Sequence, residues 1–178
     1  MSEKSVFAII NSSNRAEQTV ERLQRAGFSS SDISILLPDT HGNRDFGHVK
    51  ATKAPEGATA GGVTGGVTGG VLGLLAGIGA LAIPGLGPFI AAGPIMAALS
   101  GASIGAATGG LVGALVGMGI PEIEAKRYEN KLRDGNYLVS VDVADGDEED
   151  RAKEIFKSLG AEDISTTSMA KAPSATTA

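Results

Sequence analysis

The chain has no cysteine and no tryptophan, and aromatic residues make up only 4% of it. Without cysteine there can be no disulfide, no thiolate metal site and no thiol nucleophile. So few aromatics leave no stacking platform for bases or sugars. Charge is missing in one place: from Gly57 to Pro121 there is no Asp, Glu, Lys, Arg or His, so all 15 basic and 20 acidic residues lie in the flanks. The net charge of -5 is spread over both flanks. A nucleic-acid binder needs a clustered basic face, and none is present. The first apolar run, Val6 to Ile10, is too short for a signal-peptide core, which predicts cytoplasmic folding of the flanks. A length of 178 residues suits one domain, or one domain with an insertion.

The flanks carry regular patterns. "SVFAIIN" reads as a buried strand. In the helix that follows, Ala16, Val20 and Leu23 recur at helical spacing, with Ser12 or Ser13 at its start and Gly27 at its end. "DISILLP" is a second strand, and residues 39–57 have turn chemistry without periodicity. Beyond the uncharged block, Pro121 suits a first helical position, Glu122 and Glu124 the first turn, and Lys131 and Arg133 the last. "NYLVSVDVAD" predicts a strand, "GDEEDRAKEIFKSLGA" a helix stopped by Gly160, and "EDISTTSM" a final strand. Two mirrored β-α-β halves predict an α+β ferredoxin-like sandwich, with one four-stranded antiparallel sheet and helices on one face. Its halves would be residues 1–56 (with the loop) and 121–168, around an insertion at 57–120 and before a disordered tail at 169–178.

The insertion has a four-residue glycine stride at Gly61, Gly65, Gly69, Gly73 and Gly77, and another at Gly101, Gly105, Gly109, Gly113 and Gly117. A stride of four keeps small residues along one side of a helix. Pro84, Pro88 and Pro94 fall between the two runs. The pattern predicts a helical hairpin whose arms pack through smooth glycine faces, as helices do in lipid. Gly61 to Ile83 would span about 34 Å as a helix, enough for a bilayer core. Lys50 and Lys53 before the block, with Lys126 and Arg127 after it, would keep both flanks cytoplasmic. Two other readings are a soluble oligomer in which hairpins bury one another, and a β-prone filament-forming segment.

The step "GMGIPEIEAKRYENKLRDGNYLVSV" makes the chain resemble a bacterial family of general stress and low-temperature-induced, membrane-related proteins. Gly119, Ile120, Pro121, Glu122, Ala125, Tyr128, Glu129 and Gly135 correspond to that family's pattern. The resemblance implies stress-linked expression and membrane association, and brings no catalytic residues.

Other constellations carry little chemistry. His41 and His48, with Asp39 and Asp45, fit no compact metal motif. "DVADGDEED" (142–150) places Ala144 and Gly146 at the wrong positions for a calcium loop, and suits a helix start. "GLGPFIAAG" lacks the partners of a phosphate cradle. Glu122, Glu124, Tyr128 and Glu129 stand nearest the membrane exit, with Glu124 and Tyr128 on one helical face. Two readings fit them: a contact for a partner or lipid headgroups, or an amphipathic helix covering the sheet with Tyr128 half buried at its rim. The leading expectation is a non-enzymatic, membrane-associated stress protein, with membrane lipid and its own copies as partners and no cofactor. A soluble homo-oligomer and a small-ligand regulatory module are the alternatives.

Overall fold

The computed structural model describes residues 4–39, 79–83, 86–101 and 106–168. The first β-α-β unit is β1 (Lys4–Ile10), α1 (Ser13–Arg25) and β2 (Ile33–Pro38). The uncharged block supplies β3 (Gly79–Ile83), β4 (Gly87–Ala92), α2 (Pro94–Gly101) and α3 (Ala106–Gly117). Then come α4 (Glu122–Arg133), β5 (Tyr137–Val143), α5 (Gly146–Ser158) and β6 (Glu162–Ser168). All strands join one six-stranded sheet in the order β3-β4-β2-β5-β1-β6, and every neighbouring pair is antiparallel.

The α+β class and the single antiparallel sheet agree with the sequence pattern, but the sheet is wider and covered differently. Side chains alternate across a strand. In β1, Val6, Ala8 and Ile10 enter a core under α1 and α5, while Phe7 and Ile9 enter a second core under α2, α3 and α4. Helices therefore cover both faces, not one. The reason is visible in "VFAII": a strand apolar at both parities leaves no face for water.

The expected helical hairpin is corrected over the described part of the block, while residues 61–78 lie outside the described residues. Residues 79–83 and 87–92 are strands, with Leu81 opposite Phe89 and Leu37 opposite Ile90. They extend the sheet from β2, whose outer backbone groups would otherwise lack partners. Pro84 and Pro88 disfavour a helix through this stretch. Further on, Gly110 (φ 56°, ψ -145°) breaks α3. Among the described residues, no helix is long and apolar enough to cross a membrane.

Local chemistry fixes the helix ends. Ser12 Oγ accepts the Arg15 N–H (3.4 Å) at the start of α1. At α5, Asp145 Oδ1 accepts the Glu148 N–H and Glu148 Oε2 accepts the Ala144 N–H, both at 2.8 Å. That reciprocal arrangement is a capping box shifted by one residue. It accounts for much of the acidic run that invited a calcium reading. Glu149 is held elsewhere: Lys153, then Lys4 and Thr166, keep its carboxyl low, at about 2. The start of α2 is fixed from the sheet, where the buried Ser34 Oγ accepts the Ile95 N–H at 3.1 Å.

At the open edge, β6 is bent by a bulge opposite Phe7 and Ile9, with Asp163 at φ 48°. Arg127 and Lys131 of α4 reach over to Asp163 (3.2 Å) and Glu162 (2.7 Å). A bulge and charges of this kind blunt an edge against stray pairing.

The turn into α2 provides a test. Gly93 sits at φ 78°, and a Cβ there would lie 2.2 Å from the Ile33 carbonyl oxygen. Gly87 has φ 94° but open space around it. Gly87→Ala is expected to cost about 1–2 kcal/mol through backbone strain alone. Gly93→Ala adds a backbone collision and is expected to cost clearly more. Urea denaturation of both variants measures this, and equal losses would remove the collision as a cause.

Candidate functional site

The residues singled out after the block, Gly119 to Glu129, build the corner where α3 hands over to α4. α3 ends in a Schellman turn: the Ile120 N–H reaches the Leu115 carbonyl (3.1 Å) and the Gly119 N–H the Val116 carbonyl (2.9 Å). Gly119 takes φ 95° there. A Cβ on Gly119 would stand 2.7 Å from the Ser168 carbonyl oxygen, and the Gly119 carbonyl accepts the Thr167 hydroxyl at 2.5 Å. The corner is thus pinned to the end of β6. Ile120 turns inward beside Leu115 in the second core.

Pro121 is the N-cap of α4, one position before the first helical residue expected of it, and its side chain makes no cap hydrogen bond. Glu122 and Glu124 occupy the first turn and favour the positive end of the helix. Lys126 bonds Glu122 at 2.6 Å and holds its carboxyl below the usual range. Glu129 pairs with Arg133 at 3.1 Å.

Ala125, Tyr128 and Leu132 form the buried stripe of α4. Tyr128 lies deeper than the half-buried rim position read from the sequence: it is 1% exposed. Its ring stacks on Phe7 with centroids 6.4 Å apart. Its hydroxyl donates to the Asp163 carbonyl (2.9 Å) and bonds Ser165 Oγ (2.6 Å). Burial pushes the phenol up from 10.0 to about 12, against the opposing Ser165 hydrogen bond, with Glu124 and Asp163 adding to the rise.

Ile123 points the other way and is 77% exposed. Val116, near the end of α3, is 42% exposed. Among the described residues these are the exposed large hydrophobic side chains, and both flank the same turn.

Of the two strides, Gly101, Gly109, Gly113 and Gly117 are among the described residues. Gly61, Gly65, Gly69, Gly73, Gly77 and Gly105 lie outside the described residues. Gly101 closes α2, Gly109 precedes the break at Gly110, Gly113 is partly buried, and Gly117 is exposed, with open space where a Cβ would stand. His41, His48 and Asp45 also lie outside, and the Asp39 N–H donates to the Pro88 carbonyl at 3.0 Å. No cluster of His, Asp or Glu able to hold a metal occurs among the described residues.

A family model matches residues 4–166: ActD, a subunit of alternative complex III. The chain belongs to the ActD family. No curated protein and no solved structure matches it. This overturns the likeness to general stress and low-temperature-induced proteins, the stress-response function drawn from it, and the glycine-zipper function read from the glycine strides. The residues behind that likeness have structural duties that many α+β proteins share. Gly119 is a helix stop, Pro121 a helix start, Tyr128 a core residue, and Glu122 and Glu129 are partners of lysine and arginine.

Sequence reasoning missed Ile123, although a signal was present. Two residues before Ala125, it lies about 200° around the helix from that end of the buried stripe. An isoleucine on the charged side of an amphipathic helix is the anomaly in "EIEAKRY".

Tyr128→Phe is expected to leave the Asp163 carbonyl and Ser165 without their shared partner and to cost about 1–3 kcal/mol. Because the folded phenol titrates above its unfolded value, its contribution is complete below pH 10 and is lost as pH rises through about 12. Alkaline denaturation followed by tyrosine absorbance checks both points. A Phe variant with unchanged stability would show the hydroxyl network to be dispensable.

Proposed function

We propose that this ActD-family chain is a non-catalytic, structural subunit of an alternative complex III, a respiratory electron-transfer assembly, and that it associates with the membrane through that assembly. One observation carries the reading: the family match runs from the first strand into the last, residues 4–166. The absence of cysteine supports a role without iron–sulfur clusters or covalently attached c-type haem. Iron–sulfur clusters are held by thiolates, and c-type haem is attached through cysteines. Partners on this reading are the other subunits.

Membership in such a complex also agrees with the geometry. β1 and β2 come before the uncharged block, β5 and β6 after it, and they pair with one another. This pairing supports placing both flanks on one side of a membrane. Their order β2-β5-β1-β6, with α1 and α5 packed on one face, supports a ferredoxin-like core to which β3 and β4 are added.

Affinity purification of the tagged full chain from detergent-solubilised membranes of its native host tests this. The chain is expected to co-elute at constant ratio with the electron-carrying subunits through size-exclusion chromatography. Elution of the chain alone, with the remaining subunits intact in another fraction, would overturn the assignment.

A further inference from the structure

We propose that the α3–α4 corner is the surface by which this chain docks onto another subunit of the complex, with Ile123 as its anchor in an apolar recess of that subunit. The inference rests on the reading of the chain as a complex subunit and identifies the contact that reading requires. Ile123 and Val116 flank the turn 117–121, and Gly117, Gly119 and Pro121 within it are exposed as well. An isoleucine 77% exposed lies outside the buried stripe of its helix and outside both cores. Seating it in a partner removes that apolar surface from water.

The corner is also rigid before any partner arrives. The Schellman turn, the Thr167 bond to the Gly119 carbonyl and the close approach to Ser168 hold it against β6. A preorganised contact loses little conformational freedom on binding.

Charge defines the kind of surface that fits. On α4, Lys126, Arg127, Lys131 and Arg133 are each paired within the chain, to Glu122, Asp163, Glu162 and Glu129. Their charge is already neutralised within the chain, which favours an apolar surface facing Ile123 over a strongly anionic one. Glu124 is the carboxylate of this helix without an ion pair among the described residues. A donor or cation at the rim of the recess complements it. A second copy docking corner to corner would instead bring two Glu124 carboxylates together, which disfavours self-association.

The test uses the full complex, with a photo-crosslinking amino acid at position 123 and, separately, Ile123→Asp, Ile123→Leu and Arg22→Asp on the opposite helix layer. Co-purification of the other subunits is expected to fall at least about tenfold for Ile123→Asp, the loss typical of an interface anchor. Ile123→Leu and Arg22→Asp are expected to retain it. Thermal melting of the isolated Asp variant is expected to match wild type, since the side chain makes no core contact. The crosslink is expected on an identified subunit of the complex. A crosslink to a second copy of this chain, or undiminished co-purification of Ile123→Asp, overturns the docking proposal and leaves the subunit assignment standing. Failure of the wild-type chain to co-purify overturns both.

Discussion

The structure depends on a sheet that is apolar on both faces. β1 sends Val6, Ala8 and Ile10 to one side and Phe7 and Ile9 to the other; β2 does the same with Ile35 and Leu36, and β5 with Val139 and Leu138. α1 and α5 bury only the first side. The second needs its own layer, and the uncharged block supplies two of its three helices. Leu36, Phe89, Ile95 and Leu115 are buried there. At about 1.5–3 kcal/mol per such side chain, exposing four of them would forfeit roughly 6–12 kcal/mol. That is comparable to the whole stability of a typical domain, about 5–15 kcal/mol.

The same constraint explains why the corner after α3 is built so tightly. The second layer must be joined to α4 and returned to β5 in register with both cores. A Schellman turn reverses the chain in few residues while sending Ile120 inward beside Leu115. Gly119 meets two demands at once, a positive φ and the Ser168 carbonyl 2.7 Å from where a Cβ would be. Tyr128, one helical turn beyond Glu124, then ties the layer to the edge strand through Asp163 and Ser165.

The flank elements were legible because each announces itself locally: β-forming apolar runs, a serine or aspartate at a helix start, and Gly27 and Gly160 at helix ends. The antiparallel sheet followed from their mirrored order. Residues 79–92 of the block differ from the helical expectation because their signal is ambiguous. Glycine at every fourth position satisfies a lipid-facing helix, yet a run of Gly, Ala, Leu and Ile also satisfies a buried strand. Periodicity alone cannot separate the two. What decided it was tertiary: β2 had an edge to fill and the sheet a face to cover. The family likeness failed for a related reason, since a helix stop, a helix start and a buried tyrosine are demands of the fold, and folds are shared across functions.

Ile123 shows the converse, a residue that the fold's demands do not explain. The cations of α4 are closed in ion pairs within the chain, so the helix surface around it is apolar at one point and, Glu124 apart, largely neutralised. Solvent-exposed pairs of this kind contribute little to stability. They nonetheless leave few bare cations beside the apolar contact, which lowers the desolvation cost of covering it. The outer surface of α4 is thus arranged for an apolar neighbour, whereas β6 beside it, bulged and crossed by Arg127 and Lys131, is arranged against strand addition. In a multi-subunit assembly those two features act together: one directs association to a side-chain contact on the corner, and the other closes the backbone edge that would admit partners without selection.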